Sequence, residues 1–197
     1  VAEGNTGGGA GMIAYEFKGG TGTASRAVEV AGESYRLGVL VQANHGSRDC
    51  LGISGVPVGR EMREDLVHPR ETGSIIVVIA TDAPLLPHQL DRLARRGSVG
   101  IGRNGTSGGH SSGDIFLAFS TANGPDYPWH APDVMALRML ADTHLDAFYT
   151  AAVQATEEAV VNAMIAAETR VAVKPEGRVV RAIDHDRLRE ILARHNR

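Results

Sequence analysis

Gly108-Gly109-His110-Ser111-Ser112-Gly113-Asp114-Ile115-Phe116-Leu117-Ala118-Phe119-Ser120-Thr121 is the stretch on which the reading of this chain turns. A polar, Gly/Ser/Thr-rich run starts at Asn104 and ends at Ser112. Beyond it Ile115, Leu117 and Phe119 alternate with other residues, the period of a strand. A hydroxyl therefore stands where a flexible loop gives way to a strand. The pattern Gly109-His110-Ser111-Ser112-Gly113 also matches Gly-x-Ser-x-Gly, which would put Ser111 on a strand-to-helix elbow. Here a loop precedes and a strand follows, and no HGGG-type loop accompanies the motif, so the context argues against the elbow.

Upstream, Ser74-Ile75-Ile76-Val77-Val78-Ile79-Ala80 is a continuous apolar run, the signature of a central strand buried on both faces. Thr81-Asp82-Ala83-Pro84 ends it, and Leu86, Leu90, Leu93 and Ala94 recur at helical spacing over Leu86 to Arg96. Met12 to Phe17 reads as a short strand between two glycine loops, Gly7 to Gly11 and Lys18 to Arg26. Tyr35 to Gln42 is a second strand, running into the turn composition Ala43-Asn44-His45-Gly46. Leu51 to Val58 suits a short hairpin arm, and residues 59–73 a charged loop.

Downstream the pattern is helical. Val134, Leu137, Ala141, Leu145 and Phe148 share one face over Asp133 to Tyr149, and Val153, Val160, Val161 and Met164 share one over Val153 to Ala167. Val171 to Arg181 reads as a hairpin turning at Lys174-Pro175-Glu176-Gly177, and His185 to Arg197 as a charged helix. Of 24 glycines only Gly177 lies beyond Gly124, so glycine-rich strands give way to alanine-rich helices. Strands followed by helices, with one strand-helix unit inside, predict a single α+β domain over residues 1–197, helices layered on a sheet.

The formal charge of -3 gives no electrostatic case for nucleic acid, and no run of 18 apolar residues offers a membrane span. Cys50 is the only cysteine, which excludes an intrachain disulfide and suits the cytoplasm, a periplasmic location being compatible. The eight histidines form no His-Glu-x-x-His pattern, and the glycine loops lack the Gly-Lys-Ser/Thr of a phosphate loop, so neither metal nor nucleotide is expected. His45 and His110 lie near candidate site residues and can assist there, a solvated loop histidine being the other reading of each. The opening Val1 followed by Gly4-Asn5-Thr6 reads as the middle of a longer polypeptide, so a preceding segment is expected.

A serine at the head of a strand after a flexible loop has a chemistry of its own. Its hydroxyl can attack the preceding carbonyl, giving an ester that water resolves. The freed α-amine, with a pKa of about 8, then serves as base for the adjacent hydroxyl. This makes Ser112 the candidate nucleophile and Ser111–Ser112 the candidate cleavage site. A polar linker that merely ends at a strand has the same composition.

Five blocks in order carry a resemblance: Glu3-Gly4-Asn5-Thr6-Gly7-Gly8-Gly9-Ala10-Gly11-Met12, Phe17-Lys18-Gly19-Gly20-Thr21-Gly22-Thr23-Ala24-Ser25-Arg26, Gly38-Val39-Leu40-Val41-Gln42-Ala43-Asn44, Ala80-Thr81-Asp82-Ala83-Pro84-Leu85-Leu86-Pro87, and Ser112 to Thr121. Together the chain resembles the L-aminopeptidase/D-alanine esterase-amidase family of self-processing serine peptidases, which includes β-peptidyl aminopeptidases. The resemblance implies an αββα sandwich like that of N-terminal-nucleophile hydrolases, with part of the precursor ahead of the Glu-Gly-Asn block. It implies α and β polypeptides, here residues 1–111 and 112–197, assembled into homo-oligomers without a metal or organic cofactor. It implies small peptide, amide or ester substrates. Ser111 stands where glycine or asparagine is expected before the cut. An ornithine-acetyltransferase-like acyltransferase, disfavoured by serine at position 112, and a binding subunit are the alternatives.

Three further residues complete the expected site. Asn44, at a strand end, can donate to a tetrahedral oxyanion, and can equally cap an Asx turn. Tyr15 can bond the nucleophile or substrate, a role the resemblance favours, or serve as a core tyrosine. Glu157 falls within the apolar face of its helix and can hold the Ser112 amine, with Thr156 and Glu158 the adjacent alternatives and a capping carboxylate the other reading.

Overall fold

The computed structural model describes residues 1–67, 71–123 and 134–197. Ile13–Ala14 (β1) and Phe17–Lys18 (β2) pair as a minimal hairpin, and Gly20–Val30 (β3) and Glu33–Asn44 (β4) as a long one. The long hairpin turns at Ala31 and Gly32, both at positive φ, the two-residue geometry that matches strand twist. After a short helix, Val58–Glu61 (α1), the strand Ser74–Thr81 (β5) joins β4 antiparallel. Pro87–Ala94 (α2) and Arg96–Arg103 (α3) then cross over to Ile115–Ser120 (β6), which lies parallel to β5. The sheet order is β3-β4-β5-β6. A long helix, Leu145–Ile165 (α4), packs on β3 and β4, and the small hairpin Arg170–Val171 (β7) and Val179–Val180 (β8) leads to His185–Arg194 (α5).

The α4 helix explains the glycine and alanine composition. Its inward face carries Leu145, Phe148, Ala152, Ala155, Ala159, Ala163 and Met164, all buried, at the three-and-four spacing of an amphipathic helix. Full burial of side chains such as Leu145 and Phe148 stabilises by about 1.5–3 kcal/mol each. The alanines let the helix approach so closely that a Cβ on Gly22 would stand 1.9 Å from the Ala159 carbonyl oxygen. The run Lys18 to Arg26, expected as a glycine loop, is therefore mostly strand β3, with Gly22 required by the helix above and Gly19 and Gly20 by the close backbones of Ala43 and Gly4.

Other expectations change for comparable reasons. Met12 to Phe17 is no single strand, because Tyr15 and Glu16 (φ 49° and 62°) turn it back on itself. β5 is buried on one face only. Ile75, Val77 and Ile79 are inaccessible, whereas Ile76 is 43% exposed and Ile115, Leu117 and Phe119 of β6 are open beside it. α2 and α4 pack on the four-stranded sheet, the adjoining helix and sheet layers that the expected sandwich requires. The helix expected over Leu86 to Arg96 is followed at once by α3, despite its glycines. Gly97 and Gly100 are needed where α3 meets Phe116 and Thr156.

The two helices expected over Asp133 to Ala167 are one, α4. Asp133 lies outside the described residues, and residues 135–140 form no helix. Arg138 is instead bound through its backbone to the Asn123 side chain, and the Leu140 amide to the Pro84 carbonyl. The β7–β8 hairpin and α5 form where expected, and Leu51 to Val58 holds a single bridge, Ile53 to Val56.

Candidate active site

The sheet ends β4, β5 and β6 converge where the Asn104–Asp114 loop meets the core. Asn44 closes β4 opposite Ser74 of β5, and the Ser74 Oγ accepts the Gly113 amide at 2.8 Å. The Asp114 Oδ1 accepts the Ile75 amide at 3.0 Å. Ser112, half-buried, precedes the strand by three residues, and its amide donates to the Gly109 carbonyl at 2.9 Å. Ser111 is exposed, its hydroxyl 3.5 Å from the Glu71 carbonyl oxygen. The Ser112 segment is thus held by the Gly109 carbonyl and, through Gly113 and Asp114, by the first two residues of β5.

Tyr15 approaches this loop from beneath. Its ring is inaccessible to solvent, and its hydroxyl faces the Thr106 backbone without a well-formed hydrogen bond among the described residues. Burial pushes the phenol well above its ordinary ionisation range; the Thr106 backbone opposes this, and Glu71, Cys50 and Asp114 add to it. A buried hydroxyl without a partner is costly, and such groups in native proteins usually have a task. The backbone agrees. Two-residue hairpin turns with both φ positive normally take Asn-Gly, so Tyr15-Glu16 at this turn is strained.

Asn44 and His45 are the next wall. The Asn44 Oδ1 accepts the Ile13 amide at 2.9 Å, which fixes the side-chain amide and leaves its Nδ2 as the donor end. Asn44 lines a cavity of about 270 Å³ with Ile13, Glu16, His45, Gly46 and Glu71. The Glu71 carboxylate accepts the Gly46 amide. His45 is not solvated. It is buried, packs edge-on to Tyr15 with centroids 5.2 Å apart, and neither ring nitrogen has a partner among the described residues. Burial pulls its pKa down to about 4, the Asp114 charge opposing, so the imidazole is neutral at neutral pH. His110 is exposed.

The glycine loop ahead of β1 is held from inside. Lys18, 2% exposed, donates through Nζ to the carbonyls of Gly9, Met12 and Gly19 at 2.9, 2.7 and 2.7 Å. Each ammonium proton has an acceptor, so the loop is bundled by a charge in its centre.

Glu157 is placed elsewhere. Its carboxylate pairs with Arg103 at 2.6 Å, beside a separate cavity of about 640 Å³ that also includes Arg26 and Glu158, themselves paired at 2.6 Å. Of the three adjacent α4 residues, Thr156 faces inward, fully buried against Gly100 with its hydroxyl unpartnered. The structure therefore brings Tyr15, Asn44 and the Ser112 loop to one sheet end and gives Glu157 a different partner. Ser74, Glu71 and Arg48 were not singled out from the sequence. Only Ser74, the first residue of an apolar run, carried a sequence signal of position.

A family model described as peptidase family S58 matches residues 1–178. The chain belongs to peptidase family S58. It is 47% identical to the β-peptidyl aminopeptidase BapA of Sphingosinicella microcystinivorans, over 100% of this chain and 53% of that protein. Its structure matches the L-aminopeptidase D-Ala-esterase/amidase of Ochrobactrum anthropi with a TM-score of 0.93 and 58% identity, over 100% of this chain and 54% of the other. That enzyme is described as a prototype for the serine aminopeptidases and a new variant among the Ntn hydrolase fold. A Burkholderia β-aminopeptidase matches with a TM-score of 0.86 and 45% identity, over 98% of this chain and 54% of the other. The S58 chain thus spans about half the length of these relatives, and its α+β architecture is of the Ntn hydrolase kind. Among the described residues no helix is long and apolar enough to cross a membrane.

Proposed function

We propose that residues 1–197 carry the nucleophile-bearing part of a self-processing serine aminopeptidase or amidase. The observation that carries the reading is the position of Ser112. In a chain of family S58 it stands three residues ahead of β6, next to Gly113, whose amide bonds Ser74 opposite Asn44 at one sheet end.

In processing, the Ser112 Oγ attacks the Ser111 carbonyl carbon. The peptide C–N bond breaks as an ester forms, and the nitrogen takes up a proton to become the Ser112 α-amine. Water hydrolyses the ester, leaving a carboxylate on Ser111 and residues 112–197 as a second polypeptide. The α-amine, with a pKa of about 8, then takes the Oγ proton as the hydroxyl attacks a substrate carbonyl. The Asn44 Nδ2 and the Tyr15 hydroxyl donate to the oxyanion, an interaction whose loss costs about 3 kcal/mol per donor. The proton passes to the leaving amine or alcohol, and water resolves the acyl-enzyme. Glu157 is given no part, because Arg103 holds its carboxylate.

Small peptides, amino-acid amides and esters are the substrates, and homo-oligomers the assembly, by analogy with the family. Mass spectrometry and turnover of an aminoacyl nitroanilide test the reading. Two polypeptides cut before Ser112 are expected, with cleavage and turnover both lost in Ser112→Ala. A single uncut chain that turns over the substrate, or an active Ser112→Ala, would sink it.

A further inference from the structure

One buried cation at the edge of the site has no part in the reaction as proposed. Arg48 is 2% exposed, in a 3-10 turn four residues beyond Asn44. Its guanidinium lies 3.3 Å from the centroid of the Phe17 ring. Its donors go to main-chain carbonyls: Nε to Tyr15 at 2.8 Å, Nη2 to Glu16 at 2.7 Å, and Nη1 to Met62 and Glu64. The Arg48 amide in turn donates to the Glu16 Oε1 at 3.2 Å.

These bonds fall on the strained turn. Tyr15 and Glu16 are consecutive left-handed residues, a conformation that non-glycine side chains resist. Such a turn persists only where its surroundings over-determine it. Both of its carbonyls are held by one planar guanidinium. The Tyr15 amide is held by the His45 carbonyl at 2.8 Å, and Gly46 lies flat against the Tyr15 ring, where a Cβ would stand 2.5 Å from Cδ1. A fork with fixed donor geometry can bridge two adjacent carbonyls in this way, and a lysine ammonium cannot replace it.

We propose that Arg48 is a positioning residue for the reaction: it locks the Tyr15–Glu16 turn and thereby holds the Tyr15 hydroxyl against the loop that carries Ser112. The inference rests on the reading that Tyr15 donates in the acyl-transfer step. It adds that the donor's placement is set by a cation that touches neither substrate nor nucleophile.

The test is a double-mutant cycle in the full-length, self-processed enzyme. Arg48→Met and Arg48→Lys are each made with Tyr15 intact and in the Tyr15→Phe background, and kcat and KM are read on an aminoacyl nitroanilide. With Tyr15 intact, Arg48→Met lowers kcat by about 100-fold, the size of effect that a misplacement of about 1 Å produces, with KM little changed. Arg48→Lys falls between. In Tyr15→Phe the same changes cost only a few-fold, because the group they position is gone. Equal losses in both backgrounds overturn the proposal and leave Arg48 a fold residue. Full kcat in Tyr15→Phe also overturns it while leaving the Ser112 chemistry standing, and an active Ser112→Ala identifies failure of the functional reading itself. A second readout needs no turnover. Tyrosinate absorbance, taken as a difference against Tyr15→Phe, follows the Tyr15 phenol, which Glu71, Cys50 and Asp114 face. Release of the turn moves that titration to lower pH in the Arg48 variants, and an unmoved titration overturns the proposal.

Discussion

The Ser74 hydroxyl accepts the Gly113 amide at 2.8 Å, tying the first residue of β5 to the residue after Ser112. The bond crosses from one strand to the loop ahead of the next, so it restrains the backbone immediately after Ser112. Ser74→Ala removes one neutral hydrogen bond at an exposed site, worth about 1 kcal/mol or less in stability. The larger effect is expected on self-cleavage, which needs that geometry. Conversion of the single chain into two polypeptides, followed by gel or mass spectrometry, should slow several-fold while the urea midpoint scarcely moves. Unchanged processing would show that Ser74 does not orient the loop.

Two glycines of α3 should respond in opposite directions. Gly100 meets α4 where a Cβ would stand 2.5 Å from the Thr156 Cβ, whereas Gly102 is exposed with nothing within 4 Å. Gly102→Ala should stabilise by about 1 kcal/mol through helix propensity. Gly100→Ala should destabilise by about 1–3 kcal/mol by forcing two helices apart. Thermal melts of the two variants suffice, and a stabilised Gly100→Ala would contradict the close packing of α3 on α4.

Much of the fold was legible because its signals are local. The apolar run at Ser74, the alternation after Ser112 and the helical spacing after Leu86 predict β5, β6 and α2 within a few residues, and the spacing from Val153 predicts the C-terminal half of α4. What failed depended on neighbours that a periodicity does not contain. Glycines over Lys18 to Arg26 read as a loop because their causes are tertiary neighbours: Gly22 meets the α4 backbone more than a hundred residues away, and Gly19 and Gly20 meet Ala43 and Gly4. The helical spacing of Val134 and Leu137 has no surface to bury against, and both are exposed. For the candidate site, Ser112, Asn44 and Tyr15 were proposed from strand ends and family motifs. Arg48 was not, because a surface arginine and one buried on four carbonyls look alike in a sequence.

Glu157 offers a sharp comparison with Thr156. The Glu157–Arg103 pair is half exposed on the arginine side, so Glu157→Gln should cost no more than about 1 kcal/mol. Its processing rate should stay close to that of the parent. Thr156→Val removes a buried hydroxyl that has no partner and keeps the shape, so it should be neutral or stabilising unless the reaction uses that hydroxyl. Both rates come from one processing time course. A lost cleavage step in Glu157→Gln would return the carboxylate to the nucleophile.

His45 gives the chain a defined acid response. Its pKa is lowered from 6.5 to about 4 by burial, the Asp114 charge opposing only in part. The unfolded chain therefore binds more protons at this position between those two values. Stability must fall as pH falls through that window, with the His45 contribution fully present above 6.5 and lost below about 4. The limiting slope for one such group is about 1.4 kcal/mol per pH unit. His45→Phe keeps a ring against Tyr15 and removes both unpartnered nitrogens. Urea unfolding measured at several pH values between 7 and 4 should show a steep acid limb in the parent and a shallower one in His45→Phe. Identical slopes would mean that His45 is solvated or paired in the folded chain, and that Tyr15 lacks the dry neighbour on which its own raised ionisation partly depends.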